Sequence, residues 1–231
     1  MFKVILWDID GTLLDFLAAE REAIRACFSR FSLGDCTDEM IARYSAINKS
    51  YWEKLERGEI TKPRLLVERF ETFFSSEGIE TDCAPAFNDA YQLALGDTIC
   101  FFDEGYALVK ALKGSVRQFA VTNGTKVAQD KKLRQSGLID LFDGIFISEE
   151  VGAEKPSMDF FAPVLAAIGP ISKDEILIVG DSLTSDMQGG NNAGIPCCWY
   201  NPRHLPRPAH LQIQYEIDNL WQVIDLLRLQ L

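Results

Sequence analysis

The strongest constraint on what this chain can fold into is a rhythm. Short apolar runs at Phe2–Trp7, Gln118–Thr122, Gly144–Ile147, Ile176–Val179 and Pro196–Trp199 each give way to Gly, Asn, Asp or Ser and then to a helical pattern. Apolar runs of this length bounded by turn residues read as strands buried on both faces. Strands that alternate with helices build a parallel sheet wrapped on both sides, an α/β fold. Such a sheet exposes its chemistry at the carboxyl ends of its strands.

One stretch breaks the rhythm. Leu17–Phe31, Asp38–Leu55, Lys62–Ser75 and Cys83–Leu95 carry apolar residues at helical spacing, with no strand between them. Asp38 and Thr61 are candidate helix N-caps, and Gly58–Thr61 reads as a turn. The expectation is a helical module, residues 15–97, inserted into a core made of residues 1–14 and 98–231. A chain that crosses twice between two modules permits hinge motion of one over the other. Asn219–Leu231 reads as an amphipathic closing helix after the proline-rich loop Pro202–Pro208.

Charge narrows the function. Among 231 residues there are 34 acidic and 23 basic side chains, a formal charge of -11. Such a chain repels polyanions, which argues against nucleic-acid polymers and anionic membranes as partners. A small phosphorylated substrate stays open if local cations overcome the overall field. No apolar run has the length of a membrane span, and Met1–Trp7 is too short and too soon followed by Asp8 and Asp10 to read as a signal peptide. A cytoplasmic protein, monomer or homodimer, is the expectation. Its six cysteines include no C-x-x-C pair and read as reduced thiols. Only His204 and His210 are present, which excludes a His-rich metal site and gives little support to a Ser-His-Asp triad. No nucleotide-binding glycine motif occurs.

Four clusters fall at the expected strand ends. Asp8-Ile9-Asp10-Gly11-Thr12 follows the first run and Gly180-Asp181-Ser182-Leu183-Thr184-Ser185-Asp186 follows the fourth. Carboxylates at i and i+2 of an extended chain share a side and repel each other unless a cation intervenes. Mg2+, which takes hard oxygen ligands, would resolve that repulsion. Taken singly, Asp8 and Asp10 also suit a solvated turn, and Asp186 also suits a helix N-terminus. Thr122-Asn123-Gly124, a hydroxyl followed by backbone N–H groups at a helix start, suits a phosphate cradle or a plain turn. Lys155, before Pro156, suits a phosphate ligand or an ordinary surface lysine.

Together, in this order, the four clusters resemble the motifs of the haloacid dehalogenase superfamily of phosphotransferases. The resemblance spans most of the chain and implies a Rossmann-like parallel sheet core with an inserted all-helical cap. It further implies that Asp8 is the nucleophile, forming an aspartyl-phosphate, and that Asp10 protonates the leaving alcohol and then activates water. Thr122, Asn123, Gly124 and Lys155 would bind the phosphoryl group. Mg2+ would be held by Asp8, the backbone carbonyl of Asp10 and Asp181, with Asp186 beside it or through water. An acid at position 10 favours phosphate esters over halide displacement, because halide leaves without a proton.

In the expected cap, Tyr44, Asn48 and Trp52 share one helix face, where aromatic rings could stack on a base and an amide could read its edge. Tyr44 and Trp52 would equally suit the cap interior. Ile47-Asn48-Lys49 through Trp52, Gly58–Thr61, Glu68-Arg69-Phe70 and Ile147–Gly152 resemble the pyrimidine 5'-nucleotidases of that superfamily. This second resemblance implies a nucleoside monophosphate such as UMP, dUMP or dTMP as substrate. The alternatives are a phosphoglycolate or sugar-phosphate phosphatase, a phosphohexose mutase, and an inactive phosphate-binding regulator.

Overall fold

The structure, a computed structural model, describes residues 1–227. The chain divides into two compact units, one of Met1–Asp15 with the chain from Cys100 onward, the other of Phe16–Ile99.

The first unit is a six-stranded sheet of β1 (Val4–Trp7), β2 (Arg117–Thr122), β3 (Gly144–Ile147), β4 (Ile176–Gly180), β5 (Cys197–Tyr200) and β6 (Tyr215–Ile217), in the order β3-β2-β1-β4-β5-β6. Every pairing is parallel. β1 sits in the middle, with Val4 opposite Arg117 on one side and Ile176 on the other. All four of its side chains are buried, as a strand covered on both faces requires. Five strands lie within a few residues of the apolar runs. β6 has no run to mark it: Tyr-Glu-Ile alternates, and only Ile217 is buried.

The connecting helices are α5 (Gly105–Leu112), α6 (Lys126–Gln135), α7 (Ser148–Val151), α8 (Met158–Ile168) and α9 (Gln188–Ala193), with a π-helical turn at Leu183–Met187. Phe160, Phe161 and Val164 of α8 join Val4, Leu6, Val121, Ile176, Ile178 and Trp199 in one core cluster. Burying each such side chain is worth about 1.5–3 kcal/mol, which fixes β1, and therefore the chain that leaves it, in the centre of the sheet. The expected closing helix begins as a 3-10 turn at Leu220–Gln222 that continues into α10 (Val223–Leu227). Residues 228–231 of that expected helix lie outside the described residues. Asn219 caps it, accepting from Trp221 N–H, while the Gln222 side chain accepts from Asn219 N–H.

The second unit is helical throughout: α1 (Phe16–Arg30), α2 (Asp38–Glu56), α3 (Lys62–Glu77) and α4 (Ala84–Ala94). One expected cap is displaced. Thr37, not Asp38, caps α2, its hydroxyl accepting from Met40 N–H at 3.3 Å. Asp38 and Glu39 instead occupy the first turn, where negative charge complements the helix dipole. Thr61 holds the N-cap position of α3 without a side-chain hydrogen bond. The interior is aromatic: Phe28, Phe70, Phe73, Phe74, Phe87 and Tyr91 pack edge to face or tilted. Among the described residues no helix is long and apolar enough to cross a membrane.

Candidate active site

The parallel sheet delivers its chemistry at one edge. Asp8 follows β1, and its N–H donates to Val179 O of β4 at 2.9 Å, so the backbone there is still held by the sheet. Thr122 ends β2 and Gly180 ends β4. Lys155, in the loop between α7 and α8, is fully buried. Its ammonium donates to Asp8 Oδ1 at 2.7 Å, Asp186 Oδ1 at 2.6 Å and Val121 O at 2.9 Å. It is therefore no surface lysine: all three donors of the ammonium are engaged by the site.

The Asn123 side chain holds Lys155 in place from both sides. Its Nδ2 donates to Lys155 O at 2.9 Å, and its Oδ1 accepts from Lys155 N–H at 2.8 Å. Asn123 thus acts on the lysine loop with its side chain. Thr122 is buried, and its hydroxyl accepts from Gly124 N–H at 3.0 Å.

Asp8, Asp181 and Asp186 each bring one carboxylate oxygen to within 4.8 Å of the others. Three carboxylates against one ammonium leave an excess of two negative charges, the charge a divalent cation supplies. The backbone is shaped for this approach. A Cβ on Gly11 would lie 2.7 Å from the Asp181 carboxylate oxygens, and one on Gly180 would lie 2.3 Å from Asp186 Oδ2. Both positions therefore need glycine, and Gly11 also has φ +96°. Thr12 ties the clusters together: its hydroxyl accepts from Asp181 N–H at 3.0 Å and donates to Asp181 Oδ1 at 3.3 Å. Trp199 Nε1 fixes the same loop through Asp181 O at 2.9 Å. Asp186 is already engaged on both oxygens, by Lys155 and by Ser182 N–H at 3.1 Å.

Burial, then repulsion from Asp186, raises the Asp8 carboxyl well above its ordinary value, with Lys155 only partly offsetting them. The same two causes push Asp181 up to about 7. Burial works against the Lys155 ammonium, but Asp186 and Asp8 overcome it and hold its pKa above the usual lysine value. These directions predict a pH dependence. A carboxyl whose pKa is higher folded than unfolded supports the fold below its unfolded pKa, and that support is lost as pH rises through the folded value. Without metal, stability should therefore fall as pH rises through about 7. Mg2+ should raise the melting temperature more at about pH 8 than at about pH 5.5, and Asp181→Asn should flatten both trends. Equal Mg2+ shifts at the two pH values would contradict this origin.

Asp10 stands outside the three-carboxylate cluster. Its Oδ1 accepts from Lys132 Nζ and its Oδ2 from Gln129 Nε2, each at 2.5 Å. Sequence reasoning missed both partners. Neither belongs to a motif, and they lie on α6, a helix so polar that nothing in its pattern separates an inward lysine from a solvated one.

The expected substrate residues occupy the second unit. Tyr44 is fully buried, stacked on Phe70 at 5.1 Å between centroids and edge-on to Tyr91. Asn48 is buried in a polar chain: it donates to Glu20 Oε2 at 2.7 Å and accepts from Arg69 Nη1 at 2.7 Å, while Arg69 Nη2 reaches Asn88 Oδ1 at 3.0 Å. Ser45 also donates to Glu20. The structure thus gives Tyr44 and Asn48 packing and internal hydrogen bonds in place of an open recognition face. Trp52 is half-buried, its ring 6.0 Å from Lys62 Nζ.

The family model for haloacid dehalogenase-like hydrolases matches residues 2–194. The chain belongs to this family. Among curated members of the haloacid dehalogenase-like family, the pyrimidine 5'-nucleotidase PynA of Streptococcus pneumoniae is 36% identical over 98% of this chain and 95% of its own. The pyrimidine 5'-nucleotidase YjjG of Escherichia coli is 31% identical over 96% of both. The crystal structure of Bacillus subtilis YfnB bound to magnesium superposes with a TM-score of 0.93 at 34% identity, covering 99% of each chain. As a haloacid dehalogenase-like hydrolase with such relatives, this protein is a phosphatase.

Proposed function

We propose that this phosphatase is a Mg2+-dependent 5'-nucleotidase acting on pyrimidine nucleoside monophosphates through an aspartyl-phosphate at Asp8. The observation that carries the chemistry is the division of labour among the acids. Asp8, Asp181 and Asp186 converge on one another, with Asp8 and Asp186 paired to the Lys155 ammonium, while Asp10 is held separately by Gln129 and Lys132. The substrate class is supported by the two nucleotidase relatives, each aligned over almost its whole length.

In this reading Asp8, Asp181 and the backbone carbonyl of Asp10 would hold Mg2+, and Asp186 would contribute to the same group of acids. The ion would offset the charge that opposes attack of a carboxylate on a phosphate dianion. Lys155 favours the ionised form of Asp8 and would turn a donor to the phosphoryl oxygens in exchange for one of its present contacts, as would Gly124 N–H, which here donates to Thr122; the Thr122 hydroxyl would add a further donor. An Asp8 oxygen forms a bond to phosphorus as the ester P–O bond breaks, and Asp10 gives its proton to the departing 5'-oxygen. Asp10, now a carboxylate, takes a proton from water as that water attacks phosphorus. The bond from phosphorus to Asp8 then breaks, which releases phosphate and restores both acids.

The test is a panel of phosphomonoesters with Mg2+. UMP, dUMP and dTMP should exceed phosphoglycolate and sugar phosphates by at least about tenfold in kcat/KM. A base stacked on Trp52 would contribute roughly 1–3 kcal/mol, so Trp52→Ala should impair the nucleotides more than a small ester. Sugar phosphates ranking first would defeat the substrate assignment and favour the alternative suggested by relatives named glyceraldehyde 3-phosphate phosphatase and N-acylneuraminate-9-phosphatase. Equal loss for both substrate types in Trp52→Ala would make that tryptophan a packing residue.

A further inference from the structure

We propose that Gln129 and Lys132 are positioning residues for Asp10: a two-pronged fork on α6 that sets the orientation of its carboxylate and keeps it out of the cation cluster. The inference rests on the reading of Asp10 as proton donor and acceptor given above.

The geometry supplies the argument. Gln129 and Lys132 stand three residues apart, on one face of α6. Each oxygen of Asp10 accepts from one of them at 2.5 Å. Both side chains are almost wholly buried, at 0% and 1% exposure, so these are not surface contacts that water could replace. The orientation of α6 is set elsewhere. Its N-cap Thr125 accepts from Ala128 N–H at 3.4 Å, and Lys126 N–H donates to Glu149 Oε2 at 2.7 Å. The fork therefore stands on an element whose direction Asp10 does not determine, as precise positioning requires.

Gly124 makes room for one prong. A Cβ there would fall 2.2 Å from Gln129 Nε2. The missing side chain in the phosphate loop is thus what lets the amide reach Asp10. The other end of that amide, Oε1, is buried without a hydrogen-bond partner among the described residues. A buried acceptor left unpaired is costly, and here only the bond to Asp10 accounts for the amide's orientation. With both oxygens held, the Asp10 carboxylate lies outside the group formed by Asp8, Asp181 and Asp186. A free Asp10 would be a fourth acid able to swing towards the cation and give up its proton chemistry.

The experiment compares leaving groups. Single-turnover release with Mg2+ is measured for wild type, Lys132→Met, Gln129→Leu and Lys132→Arg, using UMP and p-nitrophenyl phosphate. The nucleoside oxygen needs a proton to leave, whereas p-nitrophenolate does not. Misplacing an acid forfeits part of the roughly 10²–10⁴-fold it provides. Lys132→Met and Gln129→Leu should therefore slow uridine release at least about tenfold and p-nitrophenol release less than about threefold. Ester affinity should be unchanged, and Lys132→Arg should recover part of the loss. Slowing of both leaving groups alike would show a packing role, and no slowing of either would show no role; each overturns the proposal. Gln129→Leu, a neutral exchange, decides the matter if Lys132→Met does not fold. A wild-type protein inactive on every ester would remove the reading of the site itself, whereas an active wild type with indifferent variants removes only the fork.

Discussion

Asp8→Asn protein should fold and yet hydrolyse no phosphomonoester, with a loss on the order of 10⁴-fold or more in kcat, as expected when a nucleophile is deleted. An amide nitrogen or oxygen at this position cannot form the acyl-phosphate from which water later regenerates the acid. The substitution keeps shape and volume, so Lys155 and Val121 retain their contact. It also removes one of three acids whose mutual repulsion and burial raise the carboxyl pKa values. Metal-free Asp8→Asn should consequently melt no lower than wild type at about pH 8, and gain less from Mg2+. Steady-state assay beside a thermal melt separates the chemical from the structural effect. Turnover near the wild-type rate would refute the assignment.

Lys155→Met should cost both activity and stability. Methionine fills much of the same space but leaves Asp8 and Asp186 buried without their shared cation. Removing one partner of a buried ion pair costs about 3–5 kcal/mol. Part of this loss should disappear between about pH 8 and about pH 5, because the raised Asp8 carboxyl takes up a proton more readily than an ordinary carboxylate and then no longer needs a counter-charge. Adding Asp186→Asn should restore part of the stability without restoring turnover, because the second change removes one of the two stranded charges but does not replace the missing phosphate ligand. Denaturant unfolding at the two pH values, with and without the second substitution, reads this directly. Unchanged stability in the single variant would mean that the ammonium is not the counter-charge that holds the acids together.

The sequence revealed what local chemistry encodes. β1, β2, β4 and β5 were legible because a strand buried on both faces is apolar along most of its length, and β3, a half-buried edge strand, because its Gly-Ile-Phe-Ile run is apolar all the same. Three of the four clusters were legible because they directly follow β1, β2 and β4, where a parallel sheet places its chemistry; Lys155 lies beyond α7, and its spacing alone did not separate it from a surface lysine. β6 was not, since three residues with one buried side chain leave no pattern. The Tyr44 stripe was ambiguous for a physical reason: a helix face that could stack on a base is also a face that could pack on Phe70 and Tyr91, and the structure shows the second. The Asp10 fork was out of reach. Lys132 lies 122 positions from Asp10, and only the tertiary fold decides which lysine of α6 turns inward.

The central claim is that Asp8 itself becomes phosphorylated, and peptide mapping after rapid quench tests it most directly. Asp10→Asn protein should be mixed with Mg2+ and a p-nitrophenyl ester carrying a radiolabelled phosphoryl group, a substrate whose departure needs no acid and whose intermediate then lacks its base. The expected result is stoichiometric, base-labile label on the peptide containing Asp8, absent when Asp8 is also changed to Asn. Label on another residue, or release of p-nitrophenol with no labelled protein at any time, would contradict it.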